Sequence, residues 1–146
     1  MRVRKVEKVA KSGRNVDTFK DLAKDIDSKL KSGGIGSWLF YTDRELLCSI
    51  DLSSFKDKLV DVLFGKSKSD DKTCFVCSVY YATMSDGFIV AYPKHKGRIK
   101  PEEDDFLLTQ KMDHNKTVDT VLDLFDNMFE YLKKKEQSVT TKDSKK

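Results

Sequence analysis

The chain has 146 residues, with 28 Lys and Arg against 24 Asp and Glu and a formal net charge of +4. Its apolar fraction of 38%, with nine Phe, five Tyr and one Trp, excludes a disordered chain, and its length suits one hydrophobic core. Apolar runs are only a few residues long where a membrane helix needs ~20, and three cysteines are too few for a disulfide scaffold.

The charge is unevenly spread. Residues 1–14 carry six basic side chains against one acidic, net +5, and residues 133–146 carry six against two, net +4, which leaves −5 for the body between them. This reads as a basic N-terminal arm over 1–14, a single domain over 15–135 and a disordered Lys-rich tail over 136–146. The arm is charged but has no apolar segment behind it, so no secretory signal is expected. With the low cysteine count, this points to a reducing intracellular compartment, cytoplasmic or nuclear.

In chain order, Val16, Phe19, Leu22, Ala23, Ile26 and Leu30 fall on one helical stripe. The spacing predicts a helix over 16–32, with Asn15 as its cap and Gly33-Gly34 as its stop. Trp38, Leu39, Phe40 and Tyr41 then favour a strand, Thr42 to Glu45 a turn, and Leu46, Cys48 and Ile50 a returning strand. Ser53 or Ser54 opens a short helix with Phe55, Leu59, Val62 and Leu63 inward, and Gly65 closes it. A second hairpin is expected from residues 73–83 through a Ser85-Asp86-Gly87 turn to Phe88–Tyr92, ended by Pro93. Phe106-Leu107-Leu108 matches neither period. Thr117 caps a last helix in which Val118, Val121, Leu122, Phe125, Met128, Phe129 and Leu132 recur at helical spacing.

The expected order is therefore α-ββ-α-ββ-α. It predicts a two-layer α+β sandwich: an antiparallel sheet of two hairpins, four or five strands in all, packed by three amphipathic helices. The order resembles that of roadblock and profilin-type domains in element order alone and implies no activity.

No reaction chemistry is apparent. Cys74 and Cys77 form a C-x-x-C within a strand pattern, where residues three apart face opposite ways, so they read as core thiols rather than a redox pair or zinc ligands. His95 and His114 complete no compact zinc spacing, and no nucleophile elbow is present. The acidic runs Asp70-Asp71 and Glu102 to Asp105 read as solvated loops, and Gly33-Gly34-Ile35-Gly36 follows a helix, the reverse of a phosphate-binding turn. Neither a catalytic residue nor a metal or cofactor is expected, and the chain reads as a non-enzyme.

Two sets of binding candidates stand out. The loop Lys94, His95, Lys96, Arg98 and Lys100, together with Arg2, Arg4, Lys5, Lys8 and Lys11, could contact a phosphate backbone if the segments converge. Tyr41, Tyr80, Tyr81 and Tyr92 could then stack on bases. Trp38, Phe40, Tyr41 and Tyr80 are the candidates for a protein partner. The first expectation is a small interaction protein that docks on a larger protein machine as a regulator or inhibitor; the alternative is a nucleic-acid-binding accessory protein. In composition the chain is similar to small viral and phage accessory proteins.

Overall fold

The computed structural model describes residues 4–8, 14–64, 73–82, 87–94 and 106–144. Its elements are β1 (Arg4–Lys8), α1 (Arg14–Ser32), β2 (Ser37–Tyr41), β3 (Glu45–Asp51), a 3-10 turn (Leu52–Ser54), α2 (Asp57–Phe64), β4 (Thr73–Tyr81), β5 (Phe88–Pro93), β6 (Phe106–Leu108) and α3 (His114–Ser144). The strands form one sheet in the order β1-β2-β3-β4-β5-β6, antiparallel from β2 to β6, with β1 parallel to β2 at one edge. The helices share a single buried core with one face of this sheet, which gives the two-layer α+β arrangement.

The expected helices form where their stripes are. Phe19, Leu22, Ala23, Ile26 and Leu30 of α1 are buried, as are Val118, Val121, Phe125, Met128 and Leu132 of α3. Gly34, at φ 76°, ends α1 in the left-handed conformation. The Gly34 amide bonds the Lys31 carbonyl and the Ile35 amide bonds the Leu30 carbonyl, while the buried Ile35 and Leu30 supply the apolar contact of a Schellman stop.

Several local expectations are corrected. Residues 4–8, read as part of a loose arm, are strand β1, paired from Arg4↔Ser37 to Lys8↔Tyr41. One apolar residue in five gives no alternation to read; the open edge of β2 supplies the pairing. Helix α3 runs on to Ser144 through the segment read as a disordered tail, and Glu136 within it is buried. Its carboxylate accepts the Lys56 amide at 2.6 Å and the Lys133 ammonium at 3.3 Å, which ties the end of the domain to the start of α2.

Asp113, not Thr117, caps α3: its carboxylate accepts the Lys116 amide at 2.8 Å, and Thr117 lies one turn in, donating its hydroxyl to the Asp113 carbonyl. The helix expected at Ser53 or Ser54 is two pieces. Asp51 caps the 3-10 turn through the Ser53 amide, Phe55 is extended, and α2 follows with Leu59 and Val60 buried and Val62 52% exposed. The Ser85-Asp86 part of the second turn and Gly65 lie outside the described residues.

β4 carries a bulge. Cys77 pairs with Cys48 and Phe75 with Ser49, so Val76 is the extra residue. The bulge resets the alternation, and Cys74 and Cys77 therefore face the same way, into the core, contrary to the opposite-faces expectation. Cys48, Cys74 and Cys77 are buried free thiols.

Candidate interaction surface

Alternation along each strand assigns two faces. Leu39 and Tyr41, Leu46, Cys48 and Ile50, and Val79 and Val90 point into the helical layer. The residues between them form the other face, against which no helix packs among the described residues. Cross-strand register arranges them in rows. One row holds Trp38, Ser49 and Phe75, the next Phe40, Leu47, Ser78, Ala91 and Leu108, and a third Glu45, Tyr80 and Ile89.

This open face is apolar and largely aromatic. The Trp38 and Phe40 rings stack at 5.3 Å and 21°. Phe75 meets Phe106 edge to face at 5.8 Å, bridging from β4 to β6. Ser78 and Ala91, small and buried between larger neighbours, floor the centre. Leu108 at 68% and Tyr80 at 40% are the most exposed of its large side chains. Four strand spacings by a five-residue strand length give a patch of about 300 Å², the size at which an exposed apolar surface on a monomer is often functional.

Among the described register positions of this face acidic residues outnumber basic ones: Glu7 beside Phe40, Glu45 and Asp51 stand against Lys5 beside Trp38. Glu45 sits opposite Tyr80, and Asp51 lies at the far end of β3. Burial, and then the Glu45 carboxylate beside it, pushes the Tyr80 hydroxyl above its ordinary value of 10.0.

Of the expected partner-binding residues, Trp38, Phe40 and Tyr80 share the open face, whereas Tyr41 is buried on the helical side. Among the tyrosines considered for base stacking, Tyr81 packs on Phe88 and Tyr92 faces the core. Arg4, Lys5 and Lys8 are register positions on β1, and Lys94 is exposed just after β5. Those positions are four strands apart, ~19 Å across the sheet. Arg2, Lys11, His95, Lys96, Arg98 and Lys100 lie outside the described residues.

The sequence reading missed Leu47, Phe75, Ile89, Phe106 and Leu108 as surface candidates. A signal was present: β2, β4 and β5 read as continuous apolar runs, the pattern of strands covered on both faces rather than one. Among the described residues no three His, Cys, Asp or Glu side chains converge as a metal site, and no helix is long and apolar enough to cross a membrane. Comparison with protein-family models, with curated proteins and with solved structures yields no match to this chain.

Proposed function

We propose that this chain is a small non-enzymatic interaction module that docks on a larger protein through the open face of its sheet and modulates it. One observation carries the reading: among the described residues, strands with two apolar faces have a helical layer on only one of them. The favoured partner is a protein with an apolar surface and a mainly basic rim, because Glu7, Glu45 and Asp51 outnumber Lys5 among the described register positions of the patch. One basic against three acidic register positions offers little to a phosphate backbone, which sets the nucleic-acid alternative second. Three free, buried thiols fit a reducing compartment.

Trp38 is the single tryptophan and stands on the proposed contact, so it reports docking directly. Photo-crosslinking residues placed at 40 and 75 in the source cell should capture the same protein, a position such as Lys24 on the exposed side of α1 should not, and Leu47→Lys should abolish capture while the fold persists. Equal capture from all three positions, or capture indifferent to Leu47→Lys, overturns the docking face. A generic labelled oligonucleotide that quenches Trp38 at low salt, with a steep salt dependence, would transfer the face to nucleic acid.

A further inference from the structure

Beneath the other side of the sheet, at the β6 edge, lies a cavity of about 200 Å³ walled by Val76, Leu107, Leu124 and Met128, with Lys94 and Asn127 at its polar part. It exists because α3 covers β4 and β5 but stops short of β6, leaving Leu107 41% exposed on the helical side. For scale, a dry apolar cavity of ~150 Å³ admits a benzene ring, so this one has room for a leucine, methionine or phenylalanine side chain.

The strand above the cavity is a free edge. β6 pairs with β5 through Ala91↔Leu108, Tyr92↔Leu107 and Pro93↔Phe106, and among the described residues no strand lies beyond it. The Thr109 amide donates to the Val90 carbonyl at 3.0 Å, so position 109 and, by alternation, position 107 direct their backbone groups towards β5. The amides and carbonyls of Phe106 and Leu108 therefore point outward. Pro93, opposite Phe106, has no amide to donate, which suits a pair without ladder bonds.

We propose that the β6 edge and the cavity beneath it form one peptide-binding site. An extended segment of a partner protein adds as a seventh strand, bonding to the outward backbone groups of Phe106 and Leu108. One apolar side chain enters the cavity beside Leu107. Residues two apart on that strand share a face, and Lys94 belongs to the cavity side, so the chemistry selects an acidic residue two positions from the apolar anchor. The occupant is thus an extended, acidic-apolar peptide. The site shares Phe106 and Leu108 with the open face but takes their outward backbone groups rather than their side chains, so Leu108→Ala, which keeps the amide, should leave peptide binding nearly unchanged and thereby separates the two sites.

The test is fluorescence anisotropy of the full chain with a labelled, end-capped heptapeptide, Thr-Val-Leu-Thr-Asp-Val-Thr, with sedimentation to follow the oligomeric state. Leu108→Pro deletes one outward amide without touching a bond to β5 and should weaken binding about tenfold or more. Lys94→Glu should weaken it about threefold, as expected of an exposed ion pair, and a peptide with Lys in place of Asp should recover on that variant. Leu107→Lys, at a half-exposed position, should close the cavity to the anchor, with circular dichroism verifying the fold. No binding to the parent chain, affinity unchanged by Leu108→Pro, or a β6 edge already occupied by a second copy in sedimentation overturns the proposal.

Discussion

Cys74 lies where the bulge turns a strand inward, and burial raises its thiol from the ordinary 9.0 to about 12. The folded chain keeps this thiol neutral while the unfolded chain ionises it above 9.0, so the associated stability is whole below 9.0 and is lost as pH climbs towards 12. Chemical denaturation at about pH 7.5 and about pH 10.5 should show the parent losing about 2 kcal/mol more than Cys74→Ala over that interval. An identical pH response in the two proteins would show that the thiol ionises freely in the fold. The same burial makes Cys48, Cys74 and Cys77 poor targets for alkylation, and Cys48 is raised further by the Cys77 thiol beside it. Glu136 is the second informative residue. Its bond to the Lys56 amide crosses 80 residues of chain, and Lys133, which it also holds, lies 5.4 Å above the Phe55 ring. Glu136→Ala strands that amide and should cost about 1.5–3 kcal/mol. Glu136→Gln, which still accepts the bond, should recover much of the loss; equal destabilisation by both variants would assign the effect to packing.

At the scale of elements, the terminal strand β1 is the sharpest departure from the pattern. A loose basic arm could be removed without thermal consequence, whereas β1 pairs along five register positions with β2 and packs beside α1. Deletion of residues 1–8 should therefore lower the melting temperature by several degrees, on the order of 2–4 °C per kcal/mol lost for a chain of this size. An unchanged melting temperature would return these residues to the status of an arm. The other misread elements share one cause, because boundaries are set by which backbone groups need partners rather than by apolar period. Asp113 caps α3 because its carboxylate reaches the Lys116 amide, and Asp51 stops β3 by capping the turn after it. β6 is too short for any period and exists because β5 offers it a ladder.

At the scale of the whole molecule, the unequal layering of the sheet dominates. Leu46 and Leu47 are adjacent in sequence, yet the first is fully buried beneath the helices and the second stands on the open face. Leu46→Lys should unfold the chain, since an unpaired charge would enter the core. Leu47→Lys, at a part-buried position on the open face, should cost about 1 kcal/mol and reduce self-association at high concentration. Comparable loss of the cooperative unfolding transition in both variants would show that a further layer covers the open face. The contrast also separates folding from docking, because the open-face variant removes the proposed contact from a folded protein.

The sequence by itself determined the helices α1 and α3, the two hairpins, the Gly34 stop and the core stripes, because each is written in a local period or a local turn chemistry. It also named Trp38, Phe40 and Tyr80, which share the open face, and Tyr41, which the pleat sends to the core. Tertiary structure alone decided the rest. The pairing of β1, the bulge at Val76, the anchoring of Glu136 and the outward edge of β6 depend on partners far away in the chain. Above all, which apolar face a helix covers is set by how three helices divide one sheet, and no local pattern carries that division.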